Sequence, residues 1–377
     1  MPRIAPRLRL PRLRKGMSGF APRAATVDRL SDLPAGAANP GNLRGRFYVP
    51  EGLAEGAALV VVLHGCTQDA AVYDHGSGWS TLADRHGFAL LYPEQQRGNN
   101  PMLCFNWFSG EDIARGRGEA ASIAAMVAQM EALHGVDGRR VYVTGLSAGG
   151  AMTVVMLSAY PELFAAGAVL AGVAYGCADS VSGAFECMAG RGPGDGAALA
   201  KSVRRASAHD GPWPRLQVWQ GSADTTVVPG NANAIAKQWV ALHGLSDSPD
   251  EAGEVDGHPR RAWRGEDGTV LIEQLSITGM AHGVPLAGGG EDPVGKAGAH
   301  MLDVGLSSTQ AIAEFFGIAS GAAAGQTTSA CLPAKTAPRP RADARAEPRT
   351  EPRAAEAAAS GPQAVIEKAL RAAGLMR

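Results

Sequence analysis

The chain has 377 residues, 45% of them apolar and 6% aromatic, with 49 Gly and 24 Pro. That length and composition describe a folded protein with a sizeable core and many turns, and exclude a fibre or a wholly disordered chain. The formal net charge of −1 supplies no general attraction to nucleic acid or an anionic membrane, and no apolar run approaches the roughly 20 residues of a membrane-spanning helix.

The first stretch, "MPRIAPRLRLPRLRKGMSGF", is basic, and its arginines interrupt every hydrophobic pair, so it lacks the apolar centre of an export signal. Residues 1–42 are read as a basic, disordered leader. From 43 to 318 the pattern alternates. "AALVVVLHG" (57–65), "GFALLYPE" (87–94), "RRVYVTG" (139–145), "AAGAVLAG" (165–172), "PRLQVWQG" (214–221) and "TVLIEQLSITG" (269–279) are strand-length runs. Helical stretches fall between them at 118–135, 148–161 and 231–244. Strands without polar alternation, separated by helices, predict an α/β domain with a mostly parallel central sheet covered by helices on both faces. Residues 319–360 read as a Pro/Ala/Arg-rich linker that cannot bury a core. The last segment, 361–377, spaces Val365, Ile366, Ala369, Leu370 and Ala373 as one face of an amphipathic tail helix. That helix is expected to dock on a polymer surface, on a protein partner or back on its own domain.

The chemistry concentrates at Gly145-Leu146-Ser147-Ala148-Gly149, a G-x-S-x-G sequence. A β-branched strand ends at Thr144 and a helix begins at Ala148, so the serine sits on a strand–turn–helix elbow. Glycines on either side let strand and helix approach where a Cβ would clash. A serine hydroxyl attacks poorly until a base takes its proton, and that base needs a carboxylate to orient it. In this architecture acid and base follow the serine, each just past a later strand. Asp224 in "GSADTTVVP" and His282 in "GMAHGVPL" occupy those places. His300 and Asp303 are the rivals, but neither directly follows a predicted strand, while Glu251, Glu254 and Asp256 lie in a polar, hairpin-like stretch. An oxyanion needs two backbone N–H donors. Ala148, after the nucleophile, supplies one, and Cys66, after "LVVVLHG", is expected to supply the other.

Other chemistries find little support. The five cysteines (66, 104, 177, 187, 331) form no CxxC pair. A Cys177–Cys187 disulfide and a set of reduced, buried thiols both remain open, and the Cys66 side chain is read as a small buried filler. The nine histidines show no metal-binding spacing, so neither metal nor cofactor is expected. "GPGDGAALAKS" (192–202) lacks the second glycine of a phosphate loop, and the basic ends lack the aromatics of a single-strand nucleic-acid site.

With these residues in view, the chain resembles the polyhydroxybutyrate depolymerase family of serine esterases, which has the α/β-hydrolase fold. "LHGCTQ" followed by "CFNWF" carries the resemblance more specifically than "GLSAGGAM", with "WQGSADTTVVP" and "GMAHGVPL" completing it. The resemblance implies a Ser147–His282–Asp224 triad, oxyanion donors at Cys66 and Ala148, and hydrolysis of oligo- or poly-3-hydroxybutyrate through an acyl-enzyme. It makes Trp79, Phe105, Trp107 and Tyr175 candidates to line a substrate groove, with core packing as the alternative for each. Feruloyl or acetylxylan ester hydrolysis is the enzymatic alternative, and a non-catalytic granule- or polymer-binding scaffold is the alternative of another class. The family implies an extracellular enzyme, whereas the basic leader without an export signal points to the cytoplasm.

Overall fold

The computed structural model describes residues 26–36, 38–289 and 293–319. The first strands are β1 (Ser31–Asp32), β2 (Arg44–Tyr48) and β3 (Leu59–Leu63), followed by helices α1 (Ala70–Ser77) and α2 (Trp79–His86). Strand β4 (Ala89–Glu94) precedes the short α3 (Gly110–Ile113) and the long α4 (Gly118–His134). Next come β5 (Val141–Leu146), α5 (Ala148–Ala159), β6 (Ala166–Leu170), α6 (Val181–Met188) and α7 (Gly196–Ala206). Strand β7 (Arg215–Gly221) and α8 (Gly230–His243) lead to β8 (Glu251–Val255), β9 (His258–Arg264) and β10 (Val270–Ile277). A small pair, β11 (Val284–Leu286) and β12 (Met301–Asp303), and α9 (Ser308–Phe316) complete the described fold.

Ten strands form one sheet in the order β1-β2-β4-β3-β5-β6-β7-β10-β9-β8. From β4 to β10 every pairing is parallel, while β1 and β2 at one edge and β9 and β8 at the other run antiparallel. The apolar run of β3 shows why these strands lack polar alternation. Leu59, Val61 and Leu63 point into a core shared with α4, α5 and α8, while Val60 and Val62 point into a second core shared with α1, α2 and α9. Successive side chains leave a strand on opposite faces, so a strand covered on both must be apolar at every position. The edge hairpin β8–β9 is polar and largely exposed along β8, in keeping with the polar, hairpin-like reading of its sequence.

The amino-terminal boundary differs from the one predicted. Residues 26–36 and 38–42 belong to the folded domain rather than to a loose leader. Strand β1 pairs with β2, Leu30 is buried, and Arg46, itself buried, holds Asp28 and the Leu30 carbonyl. A basic composition suggested a solvated segment, but one buried leucine and one buried guanidinium suffice to tie this stretch to the sheet edge. The linker beyond 319 and the tail helix at 361–377 lie outside the described residues. Among the described residues no helix is long and apolar enough to cross a membrane.

Replacing Asp28 by Ala is expected to lower the unfolding free energy by about 1 kcal/mol in urea melts, because Asp28 is itself half-exposed and screened. A transition unchanged from the wild type would detach this segment from the stability of the domain.

Candidate active site

Ser147 stands between β5 and α5 with φ 57° and ψ −117°, a backbone conformation that residues bearing a side chain rarely adopt. Close packing imposes it. A Cβ on Gly145 would lie 2.5 Å from the Gly149 carbonyl group, and one on Gly149 would fall onto the Leu63 carbonyl oxygen. The glycines therefore permit the approach, and the approach turns the serine out of the sheet. The Ser147 N–H is held by the Leu170 carbonyl at 2.9 Å.

The parallel sheet carries the other two predicted residues to the same end. Asp224 follows β7, and His282 lies beyond β10, whose end pairs with that of β7. His282 Nδ1 lies 2.7 Å from Asp224 Oδ2, with both side chains almost completely buried. The carboxylate is fully engaged: Oδ1 accepts from the N–H groups of Thr226 and Val227 at 2.8 and 2.9 Å, and Oδ2 also accepts from Gln220 Nε2 at 2.9 Å. With the Nδ1 proton directed at Asp224, Nε2 carries the free lone pair. His300 is an adjunct to this arrangement. Its Nδ1 meets the His282 carbonyl oxygen at 3.2 Å, and its ring packs edge-on to that of His282 at 5.9 Å. Asp303 receives the N–H groups of Gly288 and Gly305, and Glu251 pairs with Arg260 and Arg264.

An apolar pocket opens beside Ser147. Ala148 and Ala151 form its floor, Trp107 and Phe108 one wall, and Val181, Ala184, Phe185 and Met188 of α6 the other. The Ala148 N–H, first in its helix, has no intrahelical acceptor. Gly65 N–H donates to Gln68 Oε1 and Thr67 N–H to the Met102 carbonyl, and among the described residues the Cys66 N–H between them has no protein acceptor.

Two disulfides frame this pocket, Cys66–Cys104 and Cys177–Cys187. The second settles the alternative left open by the sequence. The first corrects the reading of Cys66 as a buried filler: its sulfur is bonded to Cys104, which lines the same pocket, a link that a separation of 38 residues does not announce. The groove candidates also divide. Trp107 lines the pocket, and its neighbour Phe108, which the sequence reading missed, lines it too. Trp79 does not. It is buried against Phe88 in the core on the other face of the sheet, among the side chains of α1 and α2. Phe105 is wholly buried against His64, and Tyr175 packs at the edge of the core, where its main chain is held by Gln238.

Beneath the pocket lies a polar cluster without any sequence motif. Glu119, wholly buried at the start of α4, accepts from Gln95 Nε2 at 2.5 Å and from the Asn106 main-chain and side-chain N–H groups at 2.9 Å. Gln95 N–H in turn donates to Nε2 of the buried His64, which leaves the His64 proton on Nδ1 to donate to the Gly65 carbonyl. Burial pushes His64 down and keeps it neutral. These bonds fix the chain on either side of Cys66 and Cys104.

Comparison with known proteins places the chain. The model of the esterase PHB depolymerase family matches residues 43–259. The chain belongs to this family. It is a carboxylic ester hydrolase with the α/β-hydrolase fold. Over 313 residues it is 45% identical to poly(3-hydroxyalkanoate) depolymerase C of Paucimonas lemoignei, covering 81% of this chain and 75% of that one. It is 32% identical over 280 residues to a probable acetylxylan esterase A of Aspergillus clavatus, covering 72% of this chain and 88% of that one. The structure of an acetyl xylan esterase from Aspergillus awamori superposes with a TM-score of 0.65 at 28% identity, covering 77% of this chain and 99% of that one.

Burial, with a smaller push from Asp112, raises the Glu119 carboxyl from its ordinary 4.5 to about 8, against the lowering effect of the Asn106 and Gln95 N–H groups. A carboxyl raised in the folded state contributes fully below its unfolded value, and the contribution disappears as pH climbs through the folded one. Unfolding free energy is therefore expected to fall by on the order of a few kcal/mol between about pH 5 and pH 8. Glu119→Gln should flatten that slope in urea melts at several pH values. An equally steep slope in the variant would assign it to other groups.

Proposed function

We propose that this esterase hydrolyses esters of 3-hydroxyalkanoate, as short oligomers or accessible polymer, with Ser147, His282 and Asp224 as its triad. The observation that carries the proposal is the buried Asp224–His282 hydrogen bond at 2.7 Å, at the same sheet end as the outward-turned Ser147. In this reading His282 Nε2 takes the proton as Ser147 Oγ attacks the ester carbonyl. The developing oxyanion accepts from the N–H groups of Cys66 and Ala148, where negative charge also gains from the start of α5. His282 then protonates the leaving alcohol, and a water activated by the same ring releases the acid. Asp224 holds the imidazole in one tautomer and balances its charge when protonated.

The pocket supports the acyl class. Its walls of Trp107, Phe108, Phe185 and Met188 are apolar, and Asn100 is a lone polar amide among them. They suit a chain of alkyl-bearing hydroxyacyl units better than an acetyl group, whose single methyl would leave most of that surface unfilled. The greater identity to the hydroxyalkanoate depolymerase points the same way. Acetyl esters of xylan are the second reading, favoured by the structural likeness to the Aspergillus awamori enzyme.

Purified protein, assayed on a 3-hydroxybutyrate oligomer, acetylated xylan and methyl ferulate, is expected to act best on the oligomer. Ser147→Ala and His282→Ala should each lower kcat/KM by about a thousandfold or more. A preference for acetylated xylan or ferulate would move the substrate class, and wild-type rates in both variants would overturn the triad. Phe185→Ala is expected to raise KM for the oligomer about tenfold, with kcat on a short acetate ester nearly unchanged, because it removes apolar contact without touching the triad. Equal KM values would remove α6 from the substrate site.

A further inference from the structure

Gln220 is buried near the end of β7, and its side-chain amide makes an uneven set of contacts. Nε2 donates both of its protons, one to Asp224 Oδ2 and one to the Val227 carbonyl oxygen, each at 2.9 Å. Among the described residues, Oε1 has no hydrogen-bond partner although it is buried. The orientation is not arbitrary. Turned over, the amide would set its oxygen against a carboxylate oxygen and a carbonyl oxygen, with no proton between them.

A buried carbonyl without a donor opposes folding, and a leucine or methionine of similar size would remove that cost while taking a donor from Asp224 and from the Val227 carbonyl. What only the amide provides is a grip on two atoms of the site. One belongs to the same carboxylate oxygen that receives His282 Nδ1, and the other to the main chain of Val227, which lines the pocket beside Ser147. The Val227 N–H already donates to Asp224 Oδ1. The Gln220 amide thus closes a ring of bonds through Asp224 and Val227, and it blocks the rotation of the carboxylate that would carry Oδ2 away from the histidine.

We infer that Gln220 is a positioning residue for ester hydrolysis: it fixes the Asp224 carboxylate relative to His282 and couples it to the pocket wall at Val227. The inference rests on the triad reading given above. Gln220 touches neither substrate nor reacting atoms, so its influence is exerted through Asp224.

The test is Gln220→Leu in the full chain, with Gln220→Met as the second variant should the first fail to fold. Steady-state kinetics on a soluble 3-hydroxybutyrate oligomer are read beside the melting temperature. Both variants are expected to stay folded, with a melting temperature close to the wild-type value because relief of the unpaired Oε1 offsets the donor lost to Val227 and Asp224, and with kcat lowered about ten- to a hundredfold and KM within about twofold. In an Asp224→Ala background, Gln220→Leu should change kcat by less than about twofold, because the group it positions is gone. An unchanged kcat, a loss that only tracks a lower melting temperature, or the same fold-loss with and without Asp224 would each overturn the inference. If Asp224→Ala alone leaves the rate intact, the triad reading itself fails. If Asp224→Ala is crippled while Gln220→Leu is not, only the role of Gln220 fails.

Discussion

The main chains of β3, β5 and α5 meet so closely around Gly145 and Gly149 that no side chain fits between them. Ser147, at the centre of that contact, has no relaxed conformation available and takes a positive φ. A free peptide would escape the strain, but here the sheet on one side and the fully buried α5 on the other hold the turn. The same contact brings the end of β3 against the start of α5, so that Cys66, Ser147 and Ala148 line one pocket. These three residues share one packing constraint and cannot drift independently.

Around that rigid centre, the loops that complete the site are fastened by covalent bonds and buried polar groups rather than by regular structure. The loop carrying Trp107 is tied to Cys66 by the Cys66–Cys104 disulfide and held by Glu119 and Gln95. Helix α6 is joined by Cys177–Cys187 to the chain that leaves β6. Loops bear binding residues because they can vary, but they lose precision unless something restrains them. Here each pocket wall has its own disulfide, and the carboxylate of Asp224 accepts four hydrogen bonds from its surroundings.

The central sheet was legible from the sequence because a strand buried on both faces is largely apolar, as β3, β4, β5 and β6 are, while β7 and β10 keep enough of that character despite Gln217, Gln220, Glu273 and Gln274. The gathering of Ser147, Asp224 and His282 at one end of the sheet was legible because chain order and strand ends confine where each can stand. The rest was not, for physical reasons that differ from case to case. Residues 26–36 and 38–42 are held by a few contacts to β2, to α4 and to the loop after β4, which a composition average does not register. Trp79 and Trp107 look alike in the sequence, yet one packs on the far face of the sheet and the other on the site, a distinction that helix placement alone decides. The Cys66–Cys104 pair depends on the path of the intervening chain. Glu119 and Gln220 belong to no motif, and their meaning lies in which donors and acceptors surround them.

The Asp224–His282 bond and the apolar pocket walls consequently occupy separate parts of this molecule. Ser147, Asp224 and His282 lie just past the ends of β5, β7 and β10, where any displacement would disturb the sheet and both cores. The apolar walls lie on α6 and on the loop of Trp107 and Phe108, outside the sheet. A substitution on α6 can reshape the pocket while leaving the Asp224–His282 bond and the elbow untouched. The link between the two parts runs through Val227, whose main chain binds Asp224 and Gln220 while the residue itself lines the pocket. A change in the wall at that position, unlike one on α6, would be felt by the Asp224 carboxylate.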